Sequence, residues 1–273
     1  MENFKIRKSA VAGQFYPAEV HKLKSIIEQS VIRDAARREV IACILPHAGY
    51  IYSGRVAIET VSYIKVKERV IILGPNHTGI GKPFGVMSEG RWQMPFGDIE
   101  IDSNLAKLLL EKCNNLEEDV ISHLYEHSLE VELPILHYFK DDFKFVPITV
   151  MSNDIEAYKK NGKDIAKIIK ELNLQSQVLM VASTDMTHYE SQNSAEKKDY
   201  QAIEAILALD EDKLLERVEH YNISMCGYGP VAIALSYAKN LGAKKAELIK
   251  YQTSGDVTKD YTSVVGYAGI IIY

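Results

Sequence analysis

The chain has 273 residues, of which 47% are apolar and 25% are charged, and its net charge at pH 7 is -5. This composition is ordinary for a globular protein. The acidic balance argues against nucleic-acid binding, which needs Lys and Arg concentrated on one face. No apolar run approaches the roughly 20 residues of a membrane span, and segment 1–17 lacks the apolar region of a signal peptide. We expect a cytoplasmic protein that binds neither nucleic acid nor a membrane.

Short, β-branched apolar runs alternate with stretches of helical periodicity along the chain. Strands are predicted at 40–45, 69–74, 143–150, 177–183, 246–254 and 264–272. Helices are predicted at 55–64, 102–113, 128–139, 155–172, 200–209, 211–221 and 230–242, and a hairpin within 84–102. This alternation indicates an α/β fold with a mostly parallel or mixed central sheet flanked by helices. No repeat or linker divides the chain, so a single domain over 1–273 is predicted.

Three predicted strands run directly into a turn that bears a histidine. His47 follows the first strand, His77 the second, and His188 the fourth. Ligands of open α/β sheets bind outside the carboxyl ends of the strands, so parallel strands would bring these turns together. Each histidine alone is more simply structural, but a neutral imidazole is also the commonest transition-metal ligand and a general base. The pattern therefore predicts a shared site at one edge of the sheet.

Two further residues are candidates for this site. Asp185, in the turn before His188, either caps a helix N-terminus or orients a histidine ring. Cys226 lies in a glycine-containing turn that leads into a helix, where a depressed thiol pKa favours metal binding or nucleophilic chemistry. The alternative for Cys226 is a small residue in a tight turn. Cysteines 43, 113 and 226 are odd in number and widely spaced, which excludes a disulfide framework.

A literal H-x-x-E-H motif occurs at residues 123–127. In the zinc peptidases that carry it, two histidines on one helical face hold the metal and the glutamate is the base. Here the helical pattern begins only at about Ser128, so His123 precedes the helix. The simpler interpretation is a polar helix start, which leaves His127 free to point towards the strand ends.

Taken in chain order, a set of motifs resembles the Memo family over nearly the whole sequence. The motifs are AVAGQFYP, PHAGYIYSG, GPNHTG, EHSLEVELP, STDMTHY, MCGYGP, YQTSGDVT and VVGYAGIII. The resemblance implies a fold similar to that of the class III extradiol dioxygenases, which are non-haem iron enzymes. Prokaryotic members of the family occur in AmmeMemoRadiSam gene groupings, which implies radical SAM and Ammecr-type proteins as partners.

The resemblance also implies a metal site with His47, His77 and Cys226 as ligands, in a pocket lined by His127, Asp185 and His188. Iron or copper is the expected cofactor, and zinc is also compatible with these ligands. Oxygen-activating iron is usually held by two histidines and a carboxylate, whereas a thiolate in the third position is a softer ligand. Ring-cleaving activity therefore does not follow from the resemblance.

Three functions are consistent with these residues. The first is a metal-dependent redox or oxygenase-type enzyme with His188 or His127 as acid or base and Asp185 fixing a tautomer. The second is a metal-independent hydrolase or transferase with Cys226 as nucleophile, His188 as base and Asp185 as the residue that orients His188. The third is a non-enzymatic module that holds a peptide or an anion, with His47, His77 and Tyr50 supplying hydrogen-bond donors and a stacking face.

Overall fold

The computed structural model of the protein describes residues 6–273, so the first five residues of the N-terminal segment lie outside it. The strands are β1 Ile6–Lys8, β2 Ala42–Leu45, β3 Arg69–Pro75, β4 Phe84–Val86, β5 Arg91–Met94, β6 Gly97–Glu100, β7 Glu117–Glu118, β8 Lys144–Val150, β9 Val178–Ser183, β10 His188–Glu190, β11 Ala246–Thr253 and β12 Val264–Ile272.

The helices are α1 Val20–Ser30, α2 Arg55–Ser62, α3 Ser103–Lys112, α4 Glu132–Phe139, α5 Ile155–Glu171, α6 Gln192–Leu207, α7 Glu211–His220, α8 Tyr228–Leu241 and α9 Gly255–Thr258. A π-helical turn spans Tyr50–Gly54 and a 3-10 turn spans Ile121–His123. Three helices begin at an aspartate whose side chain accepts a backbone N–H of the first turn; these caps are Asp102, Asp154 and Asp210. In the part of the chain from residue 6 onwards, no helix is long and apolar enough to cross a membrane.

A nine-stranded mixed sheet forms the centre of the described chain, in the order β10-β12-β2-β9-β3-β8-β4-β7 with β11 paired to β12. Its four middle strands, β2, β9, β3 and β8, run parallel. Along β2, β3 and β9, buried residues occur at both odd-numbered and even-numbered positions. Because neighbouring side chains on a strand point to opposite faces, both faces of the sheet are covered. The predicted α/β class with a mixed sheet flanked by helices is confirmed.

Two local predictions differ from the structure. The predicted hairpin at 84–102 is split, because β4 pairs with β8 in the main sheet while only β5 and β6 form a hairpin in a second, three-stranded sheet with β1.

The predicted helix at 128–139 begins as α4 only at Glu132. Residues 128–131 form turns instead, and they lie against the end of β3 at Gly74. A Cβ there would lie 2.5 Å from Ser128 Oγ, so glycine permits this close approach.

The carboxyl ends of the parallel strands meet at one edge of the sheet. There β2 leads to His47, β3 to His77 and β9 to Asp185. This is the edge where ligands bind in open α/β sheets.

Candidate metal centre

Three side chains from distant parts of the chain converge at this edge. His47 follows β2, His77 follows β3, and Cys226 stands two residues before α8. One nitrogen of each histidine and the cysteine sulfur all lie within 4.8 Å of one another. The two imidazole rings meet edge to face with centroids 5.2 Å apart. Cys226 Sγ is 3.3 Å from His47 Nε2.

The ring of His47 is oriented by a serine on β9. His47 Nδ1 lies 2.8 Å from Ser183 Oγ, which is itself 2.7 Å from the carbonyl oxygen of Ser128. A carbonyl oxygen only accepts, so all three groups are satisfied when Ser183 donates to Ser128 and accepts from His47 Nδ1–H. His47 Nε2 then carries the free lone pair and faces Cys226. Burial lowers the pKa of His47, and the nearby imidazoles of His127 and His77 lower it further, which favours the neutral ring that a metal ligand requires.

Glu132 forms a further buried contact with Ser183. Its Oε1 lies 2.8 Å from Ser183 Oγ, the residue is fully buried, and its Oε2 has no hydrogen-bond partner in the described chain. Burial raises the pKa of Glu132, and the charge of Asp185 raises it further despite the Ser183 contact. A neutral carboxyl group therefore stands behind Ser183 and His47. Neither Glu132 nor Ser183 was predicted to be part of the site, although each lies in a motif of the family resemblance.

The ring of His77 is oriented by Glu126. His77 Nδ1 lies 2.9 Å from Glu126 Oε1, and the same carboxylate accepts the backbone N–H groups of His77, His127 and Ser128. Burial raises the pKa of Glu126, but these hydrogen bonds and the charges of His77 and His127 outweigh burial and bring it down to about 2. A carboxylate that binds Nδ1–H leaves Nε2 free for a metal, the usual arrangement behind a ligating histidine.

His127 packs directly against the rings of His47 and His77. It stacks on His77 with centroids 4.6 Å apart, meets the edge of His47 at 5.4 Å, and contacts Phe15 on its other side at 4.7 Å. Burial lowers the pKa of His127, although the charge of Glu126 opposes this. With His77 and Glu126, this residue forms a second group of donors within 4.8 Å, which shares His77 with the first.

Asp185 forms hydrogen bonds with the backbone of His47 and with the sulfur of Cys226. Its Oδ1 accepts the backbone N–H of His47 at 2.9 Å, and its own N–H donates to Cys226 Sγ at 3.3 Å. Burial raises the pKa of Asp185 to about 7, although the backbone N–H groups of His47 and Ala48 oppose this. It caps no helix, because β10 follows it.

The ring of His188 is fixed by a contact other than Asp185. Its Nδ1 lies 2.8 Å from the carbonyl oxygen of Ser224, and its backbone N–H donates to Ser224 Oγ. The carbonyl only accepts, so Nδ1 carries the proton and Nε2 is left as the basic nitrogen.

The predicted depression of the Cys226 pKa is wrong. Burial raises the pKa of the thiol, and the charge of Asp185 raises it further. Desolvation of a buried thiolate outweighs the helix N-terminus, although a bound metal cation would reverse this balance.

A cavity of about 550 Å³ opens over these rings. It is lined by the candidate residues His47, His77, His127, Asp185 and His188, together with aromatic side chains that include Phe15, Tyr52, Tyr189 and Tyr267. Tyr50 is not among them, because it is buried and its hydroxyl donates to the carbonyl oxygen of Val131. Tyr52, two residues further on, lines the cavity instead.

The H-x-x-E-H motif forms no zinc site. His123 is fully buried, its Nε2 lies 3.1 Å from the carbonyl oxygen of Gly85, and its ring meets the edge of Trp92. Only His127 and Glu126 of this motif reach the candidate site, because a 3-10 turn ends at His123 and the two histidines share no helical face.

The donor set fits a transition metal. His47 and His77 each have one ring nitrogen bonded to protein, and the other nitrogen of His47 faces the sulfur, as in metal sites whose outer contacts fix the tautomer. Two imidazoles with one thiolate suit copper, zinc and iron.

Comparisons with known proteins agree with the motifs. A family model described as Memo-like protein matches residues 7–271. A MEMO1 family protein of Methanococcus maripaludis is 46% identical over 97% of this chain and 99% of its own length. One from Aquifex aeolicus is 41% identical over 98% and 99%. An uncharacterised protein of Escherichia coli K12 has a solved structure with a TM-score of 0.55 at 12% identity, covering 83% of this chain and 98% of that one. At that identity the likeness concerns the fold alone.

Proposed function

Because the chain belongs to the Memo-like protein family, we propose that it is a metal-dependent enzyme of redox or oxygenase type with a small organic molecule as substrate. The observation that carries the proposal is the cluster of His47, His77 and Cys226, whose donor atoms all lie within 4.8 Å of one another. Ser183 and Glu126 orient the two rings from behind, so the site is organised before any metal binds.

Iron or copper is the proposed metal, with zinc as the redox-inactive alternative. A bound iron or copper ion would supply one-electron redox chemistry at the floor of the large cavity. The cavity volume of about 550 Å³ is in the range that takes an organic molecule, roughly 300–1,000 Å³.

The protein's own side chains would handle protons. His188 Nε2 is placed to take a proton from a bound molecule, because Nδ1 is held by Ser224. Asp185, whose pKa of about 7 lets it hold or release a proton near neutrality, lines the same cavity. His127 is kept neutral by burial and offers a second base beside His77.

Metal analysis of protein purified without chelator tests the proposal. We expect the wild type and the exposed-histidine control His220→Ala to retain iron or copper, and His47→Ala and Cys226→Ser to lose it. Retention of the metal in both site variants would overturn the assignment of the ligands. Loading with each metal in turn, followed by a redox titration, separates a redox centre from a zinc site.

The nucleophilic alternative has less support from the geometry. Cys226 Sγ approaches His47 rather than His188, whose Nδ1 is bonded to Ser224. Labelling of Cys226 that disappears in His188→Ala would favour this alternative over the metal site. The non-enzymatic alternative would be favoured by a metal-free crystal with a peptide in the large cavity.

We also propose a cytoplasmic location, supported by three cysteines that form no disulfide. The association with radical SAM and Ammecr-type proteins stays a prediction, and co-purification with those partners tests it.

A further inference from the structure

A second, smaller cavity lies behind the ligand cluster. It has a volume of about 210 Å³ and is formed where the ends of β3 and β8 meet the start of α8. Its polar lining comes from Asn76, Ser152, Asn153 and Tyr228, and His77 and Cys226 form part of its wall. Met151 and Asn153 are exposed residues of this lining, so the cavity is open to solvent independently of the large one.

The ligand cluster separates the two cavities. His77 lines both of them, His47 and Asp185 line only the large one, and Cys226 lines only the small one. The sulfur contacts His47 Nε2 at 3.3 Å and the backbone N–H of Asp185 at 3.3 Å. These two residues therefore cover the sulfur on the side of the large cavity. The edge between His77 and Cys226 is the side of the cluster that faces the small cavity.

Size and charge distinguish what the two cavities can hold. The large cavity is in the range for an organic ligand, while about 210 Å³ lies below the roughly 300 Å³ at which that range begins. Apart from His77 and Cys226, the small cavity is lined by proline, glycine, valine, methionine, tyrosine, serine and asparagine, without Lys, Arg, Asp or Glu. Such a lining offers no partner for a charged molecule and space for a small neutral one.

We propose that the small cavity is a separate binding site that brings a small uncharged molecule to the sulfur side of the metal centre. The inference rests on the proposed metal site. The organic substrate occupies the large cavity, and the small molecule reaches the cluster past Cys226, so neither has to leave for the other to enter.

The first experiment measures access to Cys226 in metal-free protein. Methyl methanethiosulfonate converts a thiolate to its methyl disulfide and releases methanesulfinate, which mass spectrometry follows. Cys43 and Cys113 are fully buried, so labelling of the folded protein reports Cys226, and Cys226→Ser is the blank. Asn153→Trp fills the mouth of the small cavity, and Thr258→Trp, also at an exposed position, fills that of the large one.

We expect Asn153→Trp to slow labelling by about tenfold or more, because a covered thiol reacts only in locally opened molecules. Thr258→Trp should leave the rate nearly unchanged. Asn153→Trp also removes the 2.9 Å hydrogen bond from Tyr228, so Tyr228→Phe, which loses this bond without adding bulk, should label at the wild-type rate. The reverse order of the two Trp variants, equal effects, or no effect in either would overturn the proposal.

The second experiment uses nitric oxide, an uncharged diatomic, with Fe(II)-loaded protein. Its binding rate, followed by absorbance and electron paramagnetic resonance, should fall in Asn153→Trp and not in Thr258→Trp. Binding that is slowed only by Thr258→Trp would contradict the proposal. If the protein holds no iron, the metal site itself has failed, while the labelling experiment still decides whether the small cavity leads to Cys226.

Discussion

Glu126→Gln tests how far the site depends on a carboxylate that was not predicted to be part of it. Glu126 is fully buried and accepts four N–H groups at 2.5–2.9 Å, three of them on Oε1 and one, the backbone N–H of His77, on Oε2. In Glu126→Gln, the glutamine oxygen can take the place of Oε1 and accept the three N–H groups there. Its NH2 group then faces the backbone N–H of His77. One buried donor then faces another, which costs about 1–3 kcal/mol.

The pKa of Glu126 gives a second measure of how much the carboxylate stabilises the folded protein. A carboxyl pKa of about 2 in the folded protein, against 4.5 for an ordinary glutamate, corresponds to about 3 kcal/mol of stability. Because the folded-state pKa is depressed, this contribution is fully present above about pH 5 and is lost as the pH falls towards 2. The stability difference between wild type and Glu126→Gln should therefore be largest at neutral pH and shrink in acid.

Urea denaturation of chelator-treated protein at pH 7, 5 and 3 measures this difference. Glu89→Gln, at an exposed ion pair with Lys107, is the matched control and should change stability little at any pH. If Glu126→Gln is as stable as wild type at pH 7, or if the difference is the same at pH 7 and pH 3, the proposed role of the carboxylate is wrong.

Three further predictions follow from the same contacts. Ser183→Ala removes the acceptor of His47 Nδ1–H and should weaken metal binding by about 10–100-fold in a calorimetric titration, with the fold retained. Asp185→Asn removes a carboxyl group whose pKa in the folded protein is raised to about 7, so the wild type loses stability as the pH rises from about 4 to 7. Over that range the free energy of unfolding of the variant should rise relative to that of wild type by up to about 4 kcal/mol. A difference that does not grow with pH in denaturation curves contradicts this. Gly74→Ala places a Cβ 2.5 Å from Ser128 Oγ and should cost about 1–3 kcal/mol in thermal unfolding; an unchanged melting temperature would show that the turn moves freely.

Local patterns predicted most of the secondary structure because the apolar runs are long and bounded by turns. The last strand was predicted at 264–272 and is found there as β12. The hairpin at 84–102 was mispredicted, because pairing of β4 with β8 joins residues about 64 positions apart and leaves no local signal. The helix at 128–139 was predicted too long for the same kind of reason: Ser128 is held by the end of β3, which its Oγ contacts at Pro75.

The sequence by itself determined the family, the α/β class and the position of His47, His77 and Asp185 at the ends of parallel strands, since strand periodicity and turn chemistry are local. Only the tertiary structure decided which groups hold each ring. Ser183 meets His47 across 136 positions and Glu126 meets His77 across 49. The tertiary structure also decided that the Cys226 pKa rises, since burial depends on everything packed around the thiol. The division of the site into two cavities arises for the same reason, because each wall is built from strands and helices that are distant in the chain.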